Sequence, residues 1–353
     1  MDEPFFLDVI CGRKRGLTAG VLRAVCGAAS VGYGAAVGVR NLAYDRRWLS
    51  IHAVETPVIS VGNLTAGGTG KTPFVALLAE RLQQLGRRPG IVSRGYRSLD
   101  KHTNDERLVL EQLAPGVPQV LNRDRVAGAW TAFRDHGCDV VVLDDGFQHR
   151  RLHRDLDIVL IDATRPWGFG RLLPRGLLRE PMSSLRRADL VVVTRCDQVS
   201  AGELSDIRHE LKRWRGVEGC VEMRFSPRRL RNAQCETRPL AELTGRTCLP
   251  FCGIGNPDAF RRTLGALGVD AAPVVFPDHH PYTRDDVEHL SKQADAVRAT
   301  LLVTTLKDLV KIPRVEVDGK PLWAIDIAAE IVSHGELLEQ ALRSVRQRLN
   351  QAA

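Results

Sequence analysis

The sequence predicts an α/β protein: a doubly wound, mostly parallel sheet, joined to a second, smaller α/β domain and preceded by an apolar N-terminal helix. Three observations carry this reading. From Val58 to about Val199, short runs of Val, Ile and Leu alternate with helix-length stretches, the pattern of a buried parallel sheet with crossover helices. The run Val58–Val61 opens into the glycine-rich stretch Thr65–Gly70 and then Lys71-Thr72, in the order strand, turn, helix. A second alternation of strands and helices begins near Cys248, after a basic, polar stretch at 213–238.

The elements follow in chain order. Residues 1–50 are expected to form an apolar, membrane-associating helical segment. Ala24–Val39 carries no charge and is flanked by Arg23 on one side and by Arg40, Arg46 and Arg47 on the other. The stretch is shorter than the ~20 residues of a spanning helix. It runs straight into Arg40-Asn41-Leu42 without a domain break, which argues against a cleaved secretion signal. Two readings stay open: a helix on or dipping into a membrane, with Trp48 and the arginines at the headgroups, or a small-residue helix packed on the protein itself. Residues 51–215 are expected to form the first α/β domain, with strands at 58–61, 90–93, 118–121, 139–143, 157–161 and 190–194. Helices are expected at 72–85, 124–136 and 203–214, with Gly86 capping the first. Residues 216–240 read as a linker. Residues 241–353 read as the smaller domain, with strands near 248–252, 273–276, 301–304 and 322–327. Its helices start near Pro257 and Asp285, and the closing amphipathic helix, about 335–349, is placed on either domain.

Composition narrows the function classes. At 353 residues the chain has room for two domains, and 44% hydrophobic with 26% charged residues is ordinary globular usage. A net charge of +8 points to an anionic partner. With only 5% aromatic residues and no basic patch interleaved with rings, nucleic acid is not expected to be that partner. The eight cysteines are scattered. Cys248 and Cys252 are spaced like half a zinc site with no second half, so reduced thiols of a cytosolic protein are the simpler reading.

The stretch Thr65, Ala66, Gly67, Gly68, Thr69, Gly70, Lys71, Thr72 has the chemistry of a phosphate loop (P-loop). Small residues let backbone N–H groups curl round phosphate oxygens, and the following helix N-terminus adds partial positive charge. Lys71 would reach the β- and γ-phosphates of ATP, and Thr72 would ligate Mg²⁺. Thr65 departs from the usual pattern G-x-x-x-x-G-K-S/T, which places glycine there. The run Asp139–Asp145 ends in two carboxylates, Asp144 and Asp145, which would leave the sheet at its ligand edge and hold Mg²⁺ directly or through water. The acceptor of the phosphate is not named by this physics. Ser93-Arg94-Gly95-Tyr96 follows a strand, Asn104-Asp105-Glu106-Arg107 reads as a polar loop, and Arg123-Asp124-Arg125 opens a helix. Arg179-Glu180 lies in the loop 164–182, and Asp278-His279-His280-Pro281-Tyr282 follows an apolar strand with a histidine–aspartate pair suited to acid–base work. A regulatory nucleotide switch is the alternative class, since Thr194-Arg195-Cys196-Asp197 resembles a guanine-reading loop without its lysine. A kinase for a small soluble sugar would leave the apolar N-terminus without a purpose.

The ordered set VGNLTAGGTGKTP, VSRGY, NDE, LDDGFQHRRLxRDLDIVLID, LLPRGLLREP and FPDHHPY, spanning roughly residues 15–330, closely resembles the tetraacyldisaccharide 4′-kinase family of Gram-negative bacteria. That family shares the departure at Thr65. The resemblance implies transfer of the γ-phosphate of ATP to the 4′-hydroxyl of tetraacyldisaccharide 1-phosphate, giving lipid IVA in lipid A biosynthesis. It also implies two α/β/α domains, a two-stranded linker and a peripheral or monotopic place on the cytoplasmic face of the inner membrane. By the same resemblance Asp105 is the catalytic base and His279 its partner, Lys71 and Thr72 take the P-loop roles, and Thr72, Asp144 and Asp145 form the Mg²⁺ site. Glu106, Arg123 or Arg125, Arg179 and Glu180 match charged residues of the family's cleft. Catalytic groups on both domains suggest closure around the substrates. Two departures stand out: Asn104-Asp105-Glu106-Arg107 replaces the family's G-D-E-P, and Thr305-Leu306-Lys307-Asp308 replaces T-E-K-D.

Overall fold

A computed structural model describes residues 3–94, 101–216, 218–278 and 280–352. It divides into two compact units, the first of residues 1–95, 117–224 and 330–353, the second of residues 96–116 and 225–329.

The chain begins with α1 (Glu3–Ile10) and the long helix α2 (Leu17–Asp45). The alternating region follows as β1 (Val58–Asn63), α3 (Lys71–Gln84), β2 (Pro89–Ser93), α4 (Lys101–Leu113), β3 (Gln119–Leu121), α5 (Arg125–Arg134), β4 (Val140–Asp144), β5 (Leu156–Asp162), β6 (Leu190–Thr194) and α6 (Ala201–Arg215). Local chemistry sets several boundaries. The Asp124 carboxylate caps α5 by accepting from the Val126 and Ala127 N–H groups. A Ser200–Glu203 capping box starts α6, and Gly216 with φ 74° ends it. One expectation is corrected here: Asp105-Glu106-Arg107 belongs to α4, not to a loop. Val109 and Leu110 are buried on this helix and Arg107 pairs with Glu111 one turn on, so apolar burial and an i,i+4 ion pair stabilise a segment whose charge density hid its period.

The remainder contains β7 (Val221–Arg231), β8 (Thr237–Arg238), β9 (Cys248–Cys252), α7 (Pro257–Ala266), β10 (Val274–Val275), α8 (Arg284–Ala296), β11 (Leu301–Thr305), the single turn α9 (Leu306–Leu309), β12 (Glu316–Val317), β13 (Lys320–Ser333) and α10 (Gly335–Ala352). The stretch read as a linker thus carries two antiparallel strands, with Leu230 opposite Arg238.

Among the described residues of the first unit, the strands run β7-β6-β5-β1-β4-β2-β3, and each neighbouring pair is parallel. β1, β4 and β6 are buried along their whole length, as continuous apolar runs covered on both faces should be. The strand order reverses around β1, whose neighbours are β4 and β5. This brings the loops leaving β1, β4 and β5 to one edge, the place where open α/β sheets bind ligands. Gly62 on β1 is needed there, because a Cβ would stand 2.7 Å from the Phe147 backbone nitrogen. In the second unit β10-β9-β11-β13 are parallel, and β12 folds back antiparallel on β13. Their apolar core includes Leu249, Phe251, Leu302 and Leu322, with Val109 of α4 packed into it.

α2 has two opposite faces. At 100° per residue, Leu17, Val21, Val25, Val31, Val39 and Leu42 fall within an arc of about 120°, and all are exposed. The opposite arc carries buried Ala19, Cys26 and Val37 with Ser30 and Tyr33, which bind the loop at 172–179. One side of the helix is therefore packed on the protein itself, while the apolar arc on the other side is exposed. Arg40 is not a free headgroup arginine, since its guanidinium donates to Glu180 at 2.7 Å.

Candidate functional site

The loop between β1 and α3 is laid down by its neighbours. Thr65 forms an antiparallel bridge with Leu178. Ala66 N–H donates to the Leu177 carbonyl at 2.7 Å, and Arg179 N–H donates to the Leu64 carbonyl at 2.7 Å. This pairing accounts for threonine where glycine is usual: an extended, strand-paired residue needs no left-handed backbone. Farther on, Gly67 (φ 112°) and Gly70 (φ 84°) do adopt it. The Thr194 hydroxyl donates to the Thr69 carbonyl at 3.0 Å, and Arg195 donates to the Gly68 carbonyl at 3.0 Å, fixing the far side of the loop. The Thr69 hydroxyl is buried without a hydrogen-bond partner among the described residues. α3 starts at Gly70 with no side-chain cap and no carboxylate in its first turn, so its N-terminal N–H groups remain available to an anion.

Lys71, on the first residue of α3, donates to Asn63 Oδ1 at 3.2 Å and lies 3.5 Å from Asp145 Oδ1. Arg179 grips the same carboxylate in a bidentate pair, 2.8 and 3.0 Å. Burial by itself would raise the Asp145 carboxyl, but Lys71 and Arg179 outweigh it and hold the group well below the usual carboxylate range. Asp145 also has a left-handed backbone, φ 53°, a strained state for a non-glycine residue that its two cations help to retain. Asp144 ends β4 opposite Val61 and is buried.

Asn63 was not foreseen from the sequence. Fully buried, it accepts from Lys71 and donates to the Thr65 carbonyl at 2.6 Å, while Gln148 donates to its backbone carbonyl at 2.9 Å. The signal was its place as the last residue of the strand feeding the loop.

Of the two arginines at the start of α5, Arg123 is exposed and Arg125 is buried at 3% exposure. Arg125 donates to the Asn122 carbonyl at 2.7 Å, while its Nε and Nη2 are buried without hydrogen-bond partners among the described residues. Burial lowers its pKa to about 10, against the opposing field of Asp144 and Asp145, so it stays charged at neutral pH. His149, also unforeseen, sits in the same field: burial and then Arg125 push it down to about 4. The imidazole is therefore neutral at pH 7. The folded pKa lies below the unfolded value of ~6.5, so unfolding takes up a proton as pH falls below ~6.5. We expect His149 to remove about 1–2 kcal/mol of stability between pH 7 and 5, and His149→Gln to abolish that part of the loss in urea titrations at the two pH values.

Glu180, expected along a cleft, is fully buried instead. Arg40 (2.7 Å), Asn41 (3.2 Å) and Arg187 (2.7 Å) saturate its carboxylate. Burial opposes ionisation, yet Arg187, Ser184 and Arg40 keep the group below its ordinary value.

Asp105 and Glu106 belong to the second unit, where Asp105 is buried and Glu106 exposed on α4. His279 lies outside the described residues. Its neighbour His280 stacks on Phe276 at 4.8 Å and meets Asp286 at 3.0 Å. Asp308, the last residue of the T-L-K-D stretch, is fully buried and accepts from Gly253 N–H (3.1 Å) and the Thr305 hydroxyl (2.7 Å), with Lys311 3.1 Å away. Its role is to brace the loops after β9 and β11. Among the described residues no group of three or more His, Cys, Asp or Glu side chains forms a metal cage. Mg²⁺ on a nucleotide does not require one, because one or two carboxylates together with phosphate oxygens suffice.

Comparison with known proteins agrees with this geometry. The profile of the tetraacyldisaccharide-1-P 4′-kinase family, LpxK, matches residues 22–346. The chain is 39% identical over 331 residues to the tetraacyldisaccharide 4′-kinase of Syntrophus aciditrophicus, covering 86% of this chain and 87% of that one. It is 42% identical over 301 residues to the Geobacter metallireducens protein of the same name, covering 80% and 86%. A crystal structure of LpxK from Aquifex aeolicus in complex with ATP superimposes with a TM-score of 0.74 at 30% identity, covering 92% of this chain and 99% of that one. With a family match over most of its length and relatives above one-third identity, the chain belongs to the tetraacyldisaccharide-1-P 4′-kinase family.

Proposed function

We propose that this protein transfers the γ-phosphate of ATP to the 4′-hydroxyl of tetraacyldisaccharide 1-phosphate, yielding ADP and the bisphosphorylated glycolipid lipid IVA of lipid A biosynthesis. The observation that carries the reading is the loop from Thr65 to Thr72. It combines an uncapped helix N-terminus, a lysine held by Asn63 and Asp145, and a buried Thr69 hydroxyl without a hydrogen-bond partner among the described residues. A triphosphate satisfies all of these at once.

The roles follow from the chemistry. Lys71 leaves its resting partners for the β- and γ-phosphates. Arg125, with two buried donor nitrogens that have no hydrogen-bond partner among the described residues, meets charge on the transferred group, and is favoured over exposed Arg123 for that reason. Thr72, Asp144 and Asp145 supply hard oxygen donors suited to Mg²⁺, which when bound neutralises phosphate charge. Asp105 takes the proton of the 4′-hydroxyl as its oxygen bonds to the γ-phosphorus and the bond to the β-phosphate oxygen breaks. His279 supports Asp105, and Glu106 borders the base.

The acceptor is a lipid, so the enzyme works at the cytoplasmic face of the inner membrane. The exposed apolar arc of α2 supports a peripheral or monotopic attachment, with the opposite side of the helix docked on the first unit. The helix is 29 residues long and apolar enough to cross a bilayer by length and composition. Charging two exposed positions, as Val21→Asp with Val25→Asp, is expected to lower partitioning onto anionic vesicles severalfold while leaving ATP affinity unchanged; equal partitioning would remove α2 from the membrane. The transfer itself is tested with γ-labelled ATP, Mg²⁺ and the disaccharide 1-phosphate in detergent. Label in a glycolipid supports the kinase, and label released only as free phosphate favours a nucleotide switch.

A further inference from the structure

We infer that α2 is a positioning element of the nucleotide site as well as a membrane anchor, acting through the loop Leu172–Glu180. This inference rests on the phosphate site proposed above. One edge of the loop is joined to the P-loop by two hydrogen bonds, Ala66 N–H to the Leu177 carbonyl and Arg179 N–H to the Leu64 carbonyl, which together make the Thr65–Leu178 bridge. Its other edge is held by α2. The Tyr33 hydroxyl donates to the Arg179 carbonyl at 2.9 Å. The Ser30 hydroxyl accepts from Arg175 N–H at 2.9 Å and shares its one proton between the Leu172 carbonyl at 2.9 Å and the Cys26 carbonyl of its own helix at 2.8 Å. Arg40 and Asn41 close on the next residue of the loop, Glu180.

Arg179 is thus clamped by its backbone from both sides, with its N–H on the P-loop and its carbonyl on α2. Its guanidinium holds Asp145, the carboxylate that Lys71 also approaches. Glu180 extends the same link from the opposite direction: Arg187 bridges it to Phe147, lying 4.5 Å from that ring centroid, and Phe147 follows Asp145 by two residues. A helix that served only to reach lipid would need none of these bonds. Displacement of Tyr33 or Arg40 from the loop frees the Arg179 backbone and changes how Asp145 is shared between Arg179 and Lys71.

The test measures ATP affinity of the full chain by titration calorimetry without lipid, so that membrane docking does not enter. Tyr33→Phe keeps the ring and removes the one hydroxyl, and Arg40→Gln removes one cation from Glu180. Each is expected to weaken ATP binding roughly threefold to tenfold, the worth of one or two hydrogen bonds. Binding to anionic vesicles is expected to stay unchanged, because the apolar arc is intact. In an Arg179→Ala background, Tyr33→Phe is expected to have a smaller effect on ATP affinity, since the guanidinium it positions is gone and only the backbone link to Leu64 remains. Unchanged ATP affinity in both single variants overturns the inference, as does an equal loss from Tyr33→Phe with and without Arg179. If the unsubstituted protein binds no ATP, the phosphate-site reading falls as well; if it binds ATP and the variants match it, only the role of α2 falls.

Discussion

Lys71→Ala is expected to cut phosphoryl transfer by about two to three orders of magnitude, the usual worth of a preorganised charge aimed at a developing oxyanion. At rest the ammonium is held by Asn63 Oδ1 at 3.2 Å and lies 3.5 Å from Asp145, so no rearrangement of the backbone is needed to release it. The substitution should leave the fold intact. Asp145 keeps its bidentate pair with Arg179, and no buried charge is stranded. ATP affinity should fall together with turnover, because in the proposed mechanism the lysine contacts the nucleotide before and during transfer. Steady-state kinetics beside direct ATP titration checks both; a variant with wild-type turnover would take Lys71 out of the reaction.

Asp105→Asn is expected to lower kcat by about 10²–10⁴-fold with ATP affinity nearly unchanged, the range for loss of a general base. The amide matches the carboxylate in shape but cannot accept the 4′-hydroxyl proton. The residue is buried on α4, and an isosteric change keeps its packing, so lost activity would report chemistry rather than unfolding. His279→Ala should cost less than Asp105→Asn if the histidine only tunes the aspartate. The contrast between the two largest effects is itself diagnostic: Lys71→Ala moves ATP binding and turnover together, whereas Asp105→Asn moves turnover alone. Near-normal kcat in Asp105→Asn would assign the base to another group.

Much of the first unit was legible because its signals are local. Continuous Val, Ile and Leu runs mark β1, β4 and β6, and each is buried along its full length. The P-loop was legible for the same reason: Thr65 to Thr72 is one contiguous segment whose glycines, lysine and helix start act within a few residues of one another. α4 was not, because Asn104-Asp105-Glu106-Arg107 presents charges before any apolar period. Only packing of Val109 into the second unit's core shows which face is inward. Choosing between Arg123 and Arg125 was likewise beyond the sequence. Both are arginines at the same helix start, and the proposal of Arg125 rests on the burial of its guanidinium in the field of Asp144 and Asp145.

The sequence by itself determined the chemistry available: a triphosphate grip, two strand-end carboxylates and an apolar helix, each written in neighbouring residues. Tertiary structure decided the partnerships. Arg179 meets Asp145 across 34 positions, and Arg40 meets Glu180 across 140. No local pattern encodes such pairs, because which charges face each other depends on strand order and on the helix face that docks. Thr65 shows both sides of the division. Its presence was plain in the sequence, but the physical reason it is tolerated, an extended bridge to Leu178, appeared only once the chain had folded.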